Sequence, residues 1–164
     1  MISSIEQKLT EKSQSSPDQG LRFMFLMNNL YVMQQLLRHS ASEFVLESHM
    51  QILTNKIDDY MRDYLEASWA PVLSCLYCTA PPRLGRDSPF DKFKKEFQKT
   101  YSTQKLWPVR NPELRKKLRN TITDKVISGM TKYLVDNTTT IRQRVELTVE
   151  VEEMEKMLQE IFEG

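Results

Sequence analysis

Leu114, Leu118, Ile122, Val126 and Met130 follow one another at steps of four, and Leu147, Val151, Met154, Leu158 and Ile161 at steps of four, three, four and three. An α-helix closes a turn every ~3.6 residues, so each set draws one apolar stripe along a helix face. Similar stripes recur through most of the 164 residues, and only 4 of these are glycine, too few for a fold built on many tight β-turns. The chain is therefore expected to be all-α. With 40% hydrophobic and 27% charged residues, it has the balance of a folded chain rather than a disordered one.

Helix starts can be read from capping chemistry. Ser3-Ser4-Ile5-Glu6 fits a capping box, in which hydroxyl and carboxylate each take an orphan N–H. Ser16-Pro17, Ser88-Pro89 and Asn111-Pro112 each place a capping side chain before a proline that suits the first helical turn. Thr148 is a weaker candidate of the same kind. These signals predict helices over about 4–11, 17–38, 47–78, 89–105, 112–137 and 148–162. The second is apolar nearly all round and is expected to lie centrally, with Asn28 or Asn29 bridging to a neighbour. Pro71 is expected to kink the third helix, and Ser128-Gly129 the fifth. Alternation over 145–151 admits a strand, which the downstream helical spacing outweighs. Short connections between long amphipathic helices favour antiparallel neighbours, hence an elongated stack of helical bundles over 1–164 with a flexible loop at 79–88.

Motif chemistry is sparse. No Gly-rich phosphate loop, H-E-x-x-H, G-x-S-x-G or calcium-spaced acidic cluster occurs, so no catalytic residue, metal or cofactor is expected. Cys75 and Cys78 form a C-x-x-C that admits a redox dithiol or half a zinc site, but two small core-facing side chains explain it as well. Glu152, Glu153 and Glu155 read as a solvated face. No apolar run reaches the ~18 residues of a membrane span, and the first residues lack a leader's basic and apolar regions. The expected location is the cytoplasm, with any membrane contact peripheral.

The net charge of +1 conceals an asymmetry. Lys92, Lys94, Lys95 and Lys99, then Arg115, Lys116 and Arg119, make a basic stretch, whereas the last helix is acidic. The basic side chains could meet anionic lipid headgroups, or simply form a soluble face partly neutralised by the acidic helix. Nucleic acid fits less well, because no aromatic residues interleave with the bases' partners on that face.

Taken in order, several blocks resemble the seventy-kilodalton subunit family of the exocyst, in its C-terminal region. Phe25-Leu26-Met27-Asn28-Asn29-Leu30-Tyr31 resembles the family's F-L-M-N-N-[LI]-x. Upstream, Ile5 to Ser13 is similar to L-E-x-N-L-x-x-K-S; downstream, Tyr64 to Leu76 is similar to Y-x-R-A-S-W-x-K-V-L-S-C-L. Phe93 to Phe97, Thr103 to Trp107, Pro112 to Arg115, Asp124 to Ile127 and the terminal Ile161-Phe162-Glu163-Gly164 follow the remaining blocks. The likeness is nearest to plant members.

It implies a rod of stacked helical bundles that tethers secretory vesicles to the plasma membrane, with other exocyst subunits as partners and a phosphoinositide-binding C-terminal bundle. Lys94 and Lys95 fall on a basic segment of the family, and Arg142 and Arg144 lie near another. That second segment, K-Y-I-K-Y, aligns with Val145 to Val149, where both lysines are lost. The resemblance also allows a second role in plant immunity, as the target of a pathogen effector or as bait in an immune receptor.

Overall fold

The computed structural model describes residues 2–40, 43–77, 87–137 and 140–163. Among them run seven α-helices and no strand: α1 (Ile2–Ser13), α2 (Gln19–Ser40), α3 (Glu43–Ser68), α4 (Ala70–Ser74), α5 (Pro89–Gln104), α6 (Pro112–Asn137) and α7 (Ile141–Gln159). A 3-10 turn (Cys75–Tyr77) follows α4. The all-α expectation holds. The chain divides into two compact units, one of 1–68 with 109–114, the other of 69–108 with 115–164.

In the first unit α2 and α3 form an antiparallel hairpin. Phe23 and Tyr60 bring their rings within 6.2 Å near one end, and Gln34 Nε2 donates to Thr54 Oγ1 at 2.8 Å nearer the other. Met24, Met27, Leu30, Leu53, Ile57 and Tyr64 fill the core. α1 docks through Glu6, whose carboxylate takes the Lys56 ammonium and, at 3.4 Å, the Tyr60 hydroxyl. In the segment that completes the unit, Asn111 Oδ1 caps α6 by accepting from the Glu113 and Leu114 amides at 2.8 and 3.1 Å.

The second unit is built on α5, α6 and α7. Ser88 and Asp91 close a reciprocal capping box at the start of α5. Behind it Phe90, Phe93, Phe97 and Tyr101 lie buried on one face, with successive rings 6.0 to 6.3 Å apart. Trp69 closes on Phe97 at 5.9 Å, and Phe90 stacks on Tyr133 of α6 at 6.3 Å. α6 and α7 are antiparallel, since Gln159 Nε2 donates to Thr123 Oγ1 at 3.2 Å and Arg119 Nε to the Ile161 carbonyl at 2.8 Å. α5 and α7 are therefore parallel. Lys94 meets Glu150 at 3.3 Å at one level, and the Glu163 amide donates to the Lys105 carbonyl at 3.1 Å two to three turns on. Phe162 takes a left-handed φ of 66°, rare for a bulky residue, and full burial of its ring holds it there.

Several sequence expectations are corrected. Helix α1 begins at Ile2, so Ser3 and Ser4 lie inside it, and Glu6 is spent on Lys56 and Tyr60 rather than on a capping box. Asp18, not Ser16, caps α2, its carboxylate accepting from the Leu21 amide at 2.9 Å. Of the two amides in α2, Asn29 turns back to its own helix, donating to the Phe25 carbonyl at 2.7 Å. The long third helix breaks at Trp69 rather than kinking at Pro71, because proline occupies the first turn of a new helix, α4. α6 runs unbroken through Gly129, where a Cβ would stand 2.7 Å from Leu73 Cδ2. The glycine leaves room for the Leu73 side chain against α6. α7 begins at Ile141, which removes both the strand and the Thr148 cap. Cys78 and the 79–86 part of the expected loop lie outside the described residues.

Candidate interaction surface

Helix periodicity decides where the basic residues of α5 point. Phe90, Phe93, Phe97 and Tyr101 turn inward, so Lys92, Lys95 and Lys99 fall on another face, with Lys94 beside the aromatic row. Lys94 lies 5.2 Å from the centre of the Phe90 ring while it meets Glu150. Lys95 pairs with Asp87 at 2.6 Å and Lys99 with Glu96 at 3.6 Å, yet their side chains stay 67% and 75% exposed. Asp87 holds the Lys95 ammonium above the usual lysine range by hydrogen bonding first and charge second. Two donors from Ser88 hold the Asp91 carboxyl below its usual range. Burial, with Asp91 nearby, raises the Tyr133 hydroxyl.

The basic residues of α6 belong to a different place. Arg115 is half-buried and Lys116 exposed. Arg119 has only 19% of its side chain exposed; it grips the Ile161 carbonyl and stands 3.6 Å from Glu163. It therefore fastens the end of the chain, beside the level of Lys105. That level lies ~15 Å along the helix axis from Lys95 at ~1.5 Å per residue. Arg119, engaged in this clasp, is thus not an exposed partner of the α5 lysines. The side chains of Arg142 and Arg144 lie outside the described residues.

Between the parallel helices α5 and α7 lies a groove of about 720 Å³. Phe97, Met154 and Met157 form its floor, Lys94, Lys95 and Lys99 one wall, and Glu150 and Glu153 the other. Glu150 Oε1 accepts from Lys94, whereas Oε2 is buried with no hydrogen-bond partner among the described residues. Stripe reading alone does not find this groove. It assigns Glu153 to a solvated face, and Glu153 is indeed exposed, but one side of it borders the cleft. The signal that could have found it is the match of Lys95 and Lys99 with Glu150 and Glu153, each pair about one turn apart.

Among the described residues no His, Cys, Asp and Glu group is arranged to hold a metal, and no helix is long and apolar enough to cross a membrane. Cys75 is half-buried, its thiol donating to the Pro71 carbonyl at 3.5 Å.

Among known proteins, the C-terminal region of the Exo70 exocyst complex subunit matches residues 1–160. The chain belongs to that family. Exocyst complex component EXO70A3 of Arabidopsis thaliana is 23% identical across 100% of this chain and 30% of its own length. Exocyst complex component EXO70E2 of the same plant is 25% identical across 99% of this chain and 26% of its own. The chain thus spans less than a third of the length of these relatives. The block from Phe25 to Leu30 lies on α2, where Leu26, Met27 and Leu30 are core residues.

Proposed function

We propose that this chain is a non-enzymatic tethering and scaffold module of the exocyst, acting in exocytosis where vesicles dock at the plasma membrane. The observation that carries this reading is the division between inside and outside. Among the described residues, the buried side chains are apolar except for Ser13, Gln34, Gln104 and Thr123, and no charged residue is fully buried. A molecule so arranged acts by what its surface meets. The family match supports the exocyst as the complex, with other exocyst subunits as the partners.

Contact with a phosphoinositide surface is the finer part of the proposal, and it rests on Lys95 and Lys99. Each basic residue near an anionic leaflet contributes ~1 kcal/mol, but Asp87 already sits beside Lys95 and Glu96 beside Lys99. Such a contact is weak, peripheral and salt-sensitive. Affinity purification from plant extract, with quantitation of the other exocyst subunits, tests the main reading, and their enrichment is the expected result. Capture of a pathogen effector with no exocyst subunit would replace tethering with the immune-recognition role. Flotation with phosphatidylinositol bisphosphate vesicles at low and high salt tests the lipid part, and salt-insensitive or absent binding removes it.

A further inference from the structure

We propose that the α5–α7 groove takes up an amphipathic helix of a partner protein, one with acidic residues along one flank of its apolar stripe and basic residues along the other. Three features of the groove select that occupant. Its floor of Phe97, Met154 and Met157 is apolar, and methionine's unbranched thioether adapts to varied side chains. Its length, from Lys94 to Ser102 along α5, is ~12 Å, or about two helical turns. A helix lying there presents side chains at i, i+3, i+4 and i+7 to the floor.

Charge makes the choice specific. The α5 wall carries three lysines beside Gln98 and Ser102, and the α7 wall carries two glutamates, so neither a uniformly acidic nor a uniformly basic ligand suits both. A membrane of anionic lipid would meet only the outward tips of Lys95 and Lys99 and would not enter the groove, where Glu150 and Glu153 repel it. A mixed-flank helix meets both walls with opposite charge. The inference stands whether or not the tethering role does.

Three synthetic helical peptides with the same leucine stripe test it: one with glutamate on one flank and lysine on the other, one all-glutamate, one all-lysine. A helix can enter the groove in either direction, so exchanging the flanks would be no control. Fluorescence anisotropy with the full chain should show the mixed peptide binding about tenfold tighter than either uniform one, as two or three partly desolvated ion pairs allow. The double variant Lys95→Glu/Lys99→Glu, at exposed positions, should transfer the preference to the all-lysine peptide. Hydrogen exchange with the mixed peptide should slow in α5 and α7. Equal binding of all three peptides, an unchanged preference in the double variant, or protection confined to other helices would overturn the proposal. Tightest binding of the all-glutamate peptide would also overturn it, in favour of an anion-binding face.

Discussion

Helices α6 and α2 are both long and both rich in apolar residues, but they spend them differently. α6 gathers Leu114, Leu118, Ile122, Val126 and Met130 into one stripe that is entirely buried. α2 buries Met24, Met27 and Leu30 on one side and leaves Val32 55% and Leu36 63% exposed on another. A helix with a single stripe has one orientation that buries it. A helix with two apolar faces has competing rotations that bury similar area, and hydrophobicity does not choose between them. In α2 the choice falls to polar contacts: the Asp18 cap, the Gln34–Thr54 bond, and the Tyr31 hydroxyl donating to Glu113 at 2.7 Å. Burial and Glu113 together raise the Tyr31 hydroxyl above its usual value, so that donor keeps its proton.

The sharpest way to break this contrast is to cut into the single stripe. Ile122→Ala should cost about 2–5 kcal/mol, the range for truncating a buried aliphatic side chain, as read by urea unfolding. Next comes Arg119→Ala, at about 1.5–3 kcal/mol, because a charge-assisted bond to the Ile161 carbonyl is lost. Exposed Lys116→Ala should stay within about 0.5 kcal/mol. An equal, negligible effect of both would return Arg119 to the surface-ligand role that its sequence position suggests. Gln34→Ala is the corresponding cut in α2, expected at about 1–2 kcal/mol since the Thr54 hydroxyl loses its donor in a buried setting. Loss of slow hydrogen exchange throughout α2, beyond that drop in stability, would show that the amide selects the rotation.

The same contrast explains what could be read from the sequence. α5 and α6 are located almost to the residue, because Ser88 and Asn111 cap the amides that their positions before proline predict. Where capping side chains have competitors, the reading slips. Glu6 finds Lys56, fifty residues away in sequence, and Asp18 displaces Ser16 two residues on. Thr148 looks like a helix start only because the residues before it show no stripe. The basic residues were legible as a composition, but not their division into a groove wall on α5 and a chain-end clasp at Arg119. That division depends on α7 lying parallel to α5 and antiparallel to α6, which no local pattern encodes.

A smaller effect sharpens the account of α5. Ser88→Ala should destabilise by about 1 kcal/mol at neutral pH, the usual worth of an N-cap. The pH dependence has a definite sign. The folded Asp91 carboxyl titrates below the unfolded one, so its share of stability is complete above the unfolded value near 3.8 and disappears as pH falls through the lowered folded value. The gap between wild type and Ser88→Ala should therefore narrow on acidification below about pH 4. A gap that widens in acid would mean that Asp91 gains nothing from Ser88.

The least perturbing change probes the exposed face of α2. Leu36→Ala should alter stability by no more than about 0.5 kcal/mol, since its side chain is already in water and alanine is the better helix former. Set beside Ile122→Ala, it measures how unequal two apolar residues on long helices can be. If Leu36→Ala instead approached the cost of the buried isoleucine, the face that carries Val32 and Leu36 would have to be covered in solution. The choice of rotation in α2 would then owe as much to that cover as to Gln34 and Asp18. Sedimentation velocity on the wild type and the variant separates the two cases, because a cover supplied by a second copy disappears with the leucine.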